Sequence, residues 1–205
     1  MNGIHLSGLI VEPIAERIRG WNVAGKISEE DLENALSGDA RALIDHSLSE
    51  EDWASLDDVE GLVGLVAEQI GGETGLVEWA DEIVSDWQEK AAIENLVKAG
   101  CSLMDSPGFV VSQASALLLR DADWLYDGGR SSFNVRLRGM SEVSPALKAL
   151  IGALLARLAM ISTDLEFDVR FDGVDDGDLV VFGEIAEQES DEGGKGRLHQ
   201  AALIA

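Results

Sequence analysis

The spacing of apolar residues changes once along this chain, and that change limits the folds open to it. Over residues 57–70 apolar side chains recur with the 3.6-residue period of an amphipathic helix. After the glycine pair at 128–129 the period falls to two, because Phe133, Val135 and Leu137 alternate with polar residues. Helices followed by strands predict an α+β fold, in which a helical layer packs on a small antiparallel sheet.

Other segments extend the helical part of the chain. An apolar stripe over 76–87 predicts a helix, and the same period continues over 93–104 until Pro107 breaks it. A further helix is predicted from Val110 towards Trp124 and Tyr126. The same criterion does not assign residues 1–26 clearly to a helix or a strand.

Short polar motifs predict where some helices begin. Pro13 is a residue that can occupy the first turn of a short helix. Ser28 followed by Asp31 predicts a capped helix start, and Ser49 followed by Asp52 predicts another.

The C-terminal part combines one long helix with a hairpin. Ser144 and Pro145 are predicted to open an apolar helix at the centre of the core. Alternating residues from 165 to 171 and from 179 to 185 then predict a C-terminal hairpin. The acids of 166–168 are expected to pair across strands with Arg136 and Arg138.

The predicted organisation is a single α+β domain over residues 1–186. Within it, 27–126 is mainly helical and 131–186 is a strand–helix–hairpin unit. Residues 187–205 are rich in acids and glycine and predict a mobile tail.

Acidic residues outnumber basic ones by 39 to 15, a net charge of −24. Such a field repels nucleic-acid backbones and anionic membrane surfaces, so nucleic-acid binding is not expected. The segment 27–94 holds 20 acids against Arg41 and Lys90. A solvated helical surface, a docking face for a basic partner and adaptation to salt all fit this distribution.

The composition also predicts a compartment. Cys101 is the only cysteine, so no intrachain disulfide can form, and the N-terminal residues do not resemble a signal peptide. Lys148 and Arg157 interrupt the most apolar segment, so no membrane insertion is expected. These features predict a cytoplasmic protein of bacterial type.

The acidic stretch 169–184 invites comparison with a calcium loop. Aligning it to an EF-hand places Asp172 and Asp176 at ligand positions one and five. Val174 and Gly183 then occupy positions three and twelve, where neither side chain can ligate. The stretch is therefore interpreted as a hairpin connection and not as a metal site.

Other catalytic and metal-binding patterns are missing from the sequence. The three histidines, His5, His46 and His199, share no ligand spacing with one another or with Cys101. There is no glycine-rich phosphate loop and no nucleophile elbow. No enzymatic activity, metal or cofactor is predicted.

The segment from Trp53 to Ile185 resembles a known group of folds. The residues that carry the likeness are "EEDWASLDDVEGLVGLVAEQIGG", "DSPGFVVSQASALLLRDADWLYDGGRSSFNVRLRG" and "LEFDVRFDGVDDGDLVVFGEI". They resemble an uncharacterised paralogous family of myxobacterial type, related to the 4-vinyl reductase-like domain, the haem nitric-oxide-binding domain and the small TRAPP tethering subunits. The resemblance implies a helical layer on a small antiparallel sheet, often in a homodimer.

Two departures from these relatives bear on cofactors. The 4-vinyl reductase-like domains tend to carry cysteines around the final hairpin, and this chain has none there. The haem domains use a Tyr-x-Ser-x-Arg motif and an axial histidine. The single tyrosine, Tyr126, is followed by Asp-Gly-Gly, so the resemblance does not extend to haem binding.

Two functions follow as hypotheses. The first is a non-enzymatic regulatory or scaffolding module that docks another protein, for which a basic surface is one option, with Asp57, Asp58 and Glu60 as contact candidates. The alternative is a sensor that binds a small apolar ligand between the helical layer and the sheet, where different layers commonly leave pockets. The pocket candidates are Trp124, Tyr126, Phe133, Leu154 and Phe167.

Overall fold

Helices dominate the first half of the chain and a four-stranded sheet lies in the second. This computed structural model describes residues 3–88, 90, 93–96, 98, 107–128, 132–161, 167–175 and 178–185, and of residues 107–110, 128, 167–175 and 185 it describes the backbone alone. The helices are α1 (Gly8–Val23), α2 (Glu29–Ala35), α3 (Gly38–Asp45), α4 (Leu56–Ile70), α5 (Gly72–Trp87), α6 (Pro107–Leu118) and α7 (Pro145–Ile161). The strands are β1 (His5–Ser7), β2 (Trp53–Ser55), β3 (Leu119–Arg120), β4 (Asp123–Gly128), β5 (Ser132–Arg138), β6 (Phe167–Asp175) and β7 (Asp178–Ile185).

The strands form two antiparallel sheets, which confirms the predicted α+β class. The smaller sheet has the order β2-β1-β3, and the larger has the order β4-β5-β7-β6. Helix α7 packs against β6 and β7 on one side and against α4, α5 and α6 on the other. Its predicted apolar face is fully buried, so this helix is the centre of the core.

Two predicted helix starts are confirmed by their capping bonds. Ser28 and Asp31 form a reciprocal capping box at the start of α2. Ser144 caps α7 by accepting a hydrogen bond from the Leu147 N–H at 3.3 Å. The hydroxyl of Ser28 and then its backbone N–H bind the Asp31 carboxylate, and they hold the pKa of that carboxyl below its ordinary value of 3.8.

The predicted start at Ser49 is wrong, because a strand follows it. The Ser49 N–H and hydroxyl both donate to Asp52 Oδ2, at 2.7 and 2.8 Å, and close a turn. The Asp52 carbonyl then accepts from the Gly8 N–H at 2.8 Å, which holds this turn against the start of α1. The same Ser49 groups, backbone first, lower the pKa of Asp52, so the turn contributes to stability above about pH 4 and loses that contribution as the pH falls further.

Pro13 lies in the interior of α1 and not in its first turn. The helix begins at Gly8, so the Leu9 carbonyl would normally accept a hydrogen bond from residue 13, and proline has no N–H to give. The buried indole of Trp87 replaces it, since its Nε1–H donates to the Leu9 carbonyl at 3.0 Å. A side chain of α5 therefore supplies the hydrogen bond that Pro13 removes from the backbone of α1.

The contribution of this Trp87–Leu9 hydrogen bond can be measured in a double-mutant cycle. Trp87→Phe is expected to lower the free energy of unfolding by about 1–2 kcal/mol, because it leaves the Leu9 carbonyl unpaired. Pro13→Ala returns an N–H to that carbonyl, so Trp87→Phe should cost about 1 kcal/mol less in the Pro13→Ala background. Urea unfolding of the four proteins gives both values; equal costs in the two backgrounds would contradict this account.

Trp124 and Tyr126 lie on a strand, which corrects the predicted extension of the helix towards them. Helix α6 ends at Leu118, and Leu119 pairs with Leu6 of β1. Asp121 then adopts a positive φ of 61°, which turns the chain into β4. Pairing with β5 along the whole length of β4 outweighs the helical period of these residues.

The predicted ion pairs of β5 have different partners. Strand β7 lies between β5 and β6, so Asp168 is two strands away from Arg136. Arg136 instead approaches Asp178 at 3.6 Å, and Arg138 approaches Asp123 at 3.5 Å. Glu166 lies outside the described residues.

The predicted C-terminal hairpin is confirmed. Strands β6 and β7 pair from Phe167–Ile185 to Asp175–Asp178, with an irregularity between Asp172 and Asp175. The domain limits and the mobile tail stay predictions, since 187–205 lies outside the described residues. Among the described helices, none combines the length and the apolar character needed to cross a bilayer.

Candidate functional site

The inner face of the larger sheet meets α6 at the edge strand β4. The register places Trp124 opposite Leu137 and Tyr126 opposite Val135, and both β5 residues are buried. Trp124 and Tyr126 therefore face the same layer as Phe133. Helix α6 packs over β4 and β5 at this corner.

Phe133 and Leu154, two of the five pocket candidates, are closely packed. Phe133 is 1% exposed and Leu154 is 0% exposed. Neither side chain therefore presents surface to a ligand in this conformation. The Phe133 ring covers Gly183 directly across the strand pair, where a Cβ atom would overlap it.

The remaining candidates lie nearer the sheet edge or beyond what is described. Trp124 is half-buried, and Tyr126 is 40% exposed. Phe167 pairs with Ile185, and the structure describes only its backbone. The structure thus brings Trp124, Tyr126 and Phe133 onto one face, with Leu154 on the helix that packs against the neighbouring strands.

The indole nitrogen of Trp124 has an unusual environment. Its Nε1 atom is enclosed, and among the described residues it has no hydrogen-bond acceptor. Trp87, by contrast, uses its Nε1–H on the Leu9 carbonyl. Burying an N–H without an acceptor costs about 1–3 kcal/mol, so this donor is the polar group at the corner that an incoming acceptor would stabilise.

The three docking candidates differ in how far hydrogen bonds within the protein already occupy their carboxylates. Asp57 is exposed on the first turn of α4. Asp58 accepts hydrogen bonds from Ser55 and Ser37, at 2.5 and 3.1 Å, and so joins α4 to α3. Glu60 accepts a hydrogen bond from the backbone N–H of Ser144 at the start of α7. Charge reversal at the last two positions would therefore disturb the fold as well as the surface.

The described residues do not fit a haem or a metal ion. His5 lies on β1, with Nδ1 at 3.7 Å from Asp121, and His46 contacts the Ala42 carbonyl from the exposed end of α3. Neither histidine faces the core between α7 and the sheet. No group of three potential metal ligands occurs in the described part of the chain, and Cys101 and His199 lie outside it.

The structure also contains a second candidate site that no sequence motif predicts. A cleft of about 410 Å³ lies between the first half of α1, residues 48–50 and the end of α5. Pro13 and Trp87 both line it. A proline inside a helical stretch was the available signal, but nothing in the sequence connects it to a tryptophan of α5.

Comparisons with known proteins identify the fold. No protein-family model matches the sequence, and no curated protein is significantly similar to it. An H-NOX protein mutant from K. algicida aligns with a TM-score of 0.52 at 8% identity, covering 90% of this chain and 98% of that one. A Cs H-NOX mutant gives 0.51 at 14% identity, with 91% and 100% covered, and a T. Tengcongensis H-NOX mutant gives 0.50 at 14%, with 89% and 98% covered.

The likeness extends over nearly the whole of these proteins, but the identities are far below those of close relatives. It confirms the haem nitric-oxide-binding type of fold among those that the sequence resembles. The chain therefore shares the fold of the H-NOX proteins.

Proposed function

We propose that this protein is a non-enzymatic sensor module that binds a small apolar molecule beside Trp124. The ligand would enter at the edge strand β4, beneath α6, with an acceptor atom on the Trp124 Nε1–H. The single observation that carries the proposal is this enclosed donor, which has no acceptor among the described residues. The likeness to H-NOX proteins, one of them named as an Fe(II) unliganded form, supports a sensing role but not the same cofactor.

The edge of the sheet offers a route to that donor. Strand β4 has a neighbour on one side only within the described sheet, and Tyr126 beside it on the inner face keeps 40% of its surface exposed. A ligand at this corner would contact both α6 and the sheet, so its binding could change how the two layers pack.

Indole NMR of ¹⁵N-tryptophan-labelled protein tests the proposal. The five tryptophans supply five indole N–H signals, and Trp124→Phe assigns one of them. Cyclohexanone, an apolar probe with an acceptor, is expected to shift the Trp124 signal saturably, while the Trp87 signal stays fixed because its donor is engaged. Cyclohexane, which has no acceptor, should produce a smaller shift.

The Trp124→Phe variant also supplies a stability control. It removes an unpaired buried donor, so its free energy of unfolding should equal or exceed that of the original protein by up to about 1 kcal/mol. Equal shifts at Trp87 and Trp124, or no saturable shift with cyclohexanone, would rule out this site.

Docking of a basic partner protein is a second proposed function. The observation that favours it is the concentration of 20 acids within residues 27–94. Asp57 is exposed there and is a suitable first position to test. A homodimer and a cytoplasmic location remain proposals, and light scattering of the purified protein tests the first of them.

A further inference from the structure

The cleft beside Pro13 and Trp87 has an apolar floor. Trp87 lines it but is almost fully buried, while Pro13 and Leu48 are half-buried. At about 410 Å³ the cleft falls within the size range of small-molecule pockets, about 300–1,000 Å³. It therefore has room for a large apolar side chain.

The walls of this cleft are fixed by hydrogen bonds. Glu12 Oε2 accepts from the Leu48 N–H at 2.7 Å, and Glu12 Oε1 accepts from Arg19 at 2.5 Å. Trp87 is tied to the Leu9 carbonyl on the opposite side. The floor is thus formed in advance of any partner, which reduces the entropy that binding must overcome.

Carboxylates surround the floor. Glu16, Glu50 and Asp86 are exposed around it, and Lys90 is the single base among the described lining residues. Within the same part of the chain, Glu16 and Asp86 have no ion-pair partner, and Glu50 has only Lys90, at 3.5 Å. Both members of that pair are more than 40% exposed, so a competing cation can replace it at little cost.

We propose that this cleft docks a peptide segment of a partner protein. The segment places an apolar side chain on Pro13 and Leu48 and sets lysine or arginine against the surrounding carboxylates. This inference rests on the second proposed function and names its site and partner chemistry. Glu50 and Asp86 belong to the acidic segment 27–94, so the charge that attracts the partner continues beyond the cleft.

Fluorescence polarisation with a labelled peptide tests the cleft. The first peptide is Lys-Lys-Leu-Leu-Leu-Lys-Lys. Two control peptides are compared with it: the second has serine in place of each leucine, and the third has glutamate in place of each lysine. The first peptide is expected to bind, the second to bind at least tenfold more weakly, and the third not at all. Raising the salt from about 50 to about 300 mM should weaken the first by several-fold.

Matched variants separate the cleft from the general acidic surface. The double variant Glu16→Gln/Asp86→Asn is expected to raise the Kd about tenfold, whereas Asp57→Asn, outside the cleft, should change it less than about twofold. Leu48→Ser should also raise the Kd, with thermal melting used to confirm that the variant is folded.

The outcomes distinguish docking at the cleft from docking of a basic partner on the acidic surface in general. Equal weakening by Asp57→Asn and by the cleft double variant would overturn the cleft and leave docking through the acidic surface. Binding of the serine peptide as tightly as the leucine peptide would overturn the apolar floor. Failure of the basic leucine peptide to bind would overturn both the cleft and docking of a basic partner.

Discussion

Alanine in place of Gly183 is expected to lower the free energy of unfolding by about 3 kcal/mol. A Cβ at this position would overlap the ring of Phe133, directly opposite on β5. That ring is 1% exposed and is enclosed by the core, so it cannot move aside freely. Urea unfolding followed by circular dichroism measures the loss.

The control is the same substitution at a glycine with open space. Gly64 lies within α4, and no atom would approach an added Cβ within 4 Å. Gly64→Ala should therefore raise stability by about 0.5–1 kcal/mol. In the Gly183→Ala background, Phe133→Leu should cost less than it does alone; additive costs would show that the ring and the glycine are not in contact.

Truncating Leu154 to alanine is the second large expected effect, a loss of about 3–4 kcal/mol. Leu154 is 0% exposed on the central helix, where packing on both sides limits collapse around the missing atoms. The resulting apolar cavity should stay dry and bind benzene. Benzene is therefore expected to raise the Tm of the variant by more than it raises that of the original protein.

A second leucine provides the comparison for this variant. Leu117 on α6 is 37% exposed, so Leu117→Ala should cost less than about 1 kcal/mol and create no benzene site. If benzene raised the Tm of the original protein as much as that of Leu154→Ala, an apolar cavity would already exist beside α7. The sensor site would then extend inward from Trp124 to the candidates Phe133 and Leu154.

Local chemistry made parts of the fold predictable. Ser28 with Asp31 and Ser144 with Pro145 identify helix starts because each motif satisfies backbone N–H groups within a few residues. The alternation of Phe133 and Val135 likewise identifies one buried face of a strand. These signals depend only on neighbours in sequence, so they can be read without knowledge of the tertiary structure.

Most of the failed predictions depend on distant partners. The interior position of Pro13 is stabilised by Trp87, and the strand position of Trp124 depends on pairing with β5. Arg136 finds Asp178 because β7 separates it from β6. No local sequence pattern contains these neighbours. Tertiary contacts therefore decide the structure here against the secondary-structure propensity and the apolar period of the segment.

The candidate site was only partly predictable for the same reason. An aromatic pair before a strand pointed to Trp124 and Tyr126, and the structure places both on the inner face. The isolation of the Trp124 N–H depends on which acceptors surround it in space, and the cleft beside Trp87 depends on how α1 crosses α5. Both require the assembled fold.

The small sheet β2-β1-β3 has a consequence for the order of folding during synthesis. Leu6 pairs with Ala54 on one side and with Leu119 on the other. Strand β1 therefore leaves the ribosome long before its second partner exists, and both pairings close long loops. The helices between them can form early, but the first strand must wait for β3 to be translated, so the domain should gain its stability in one late step.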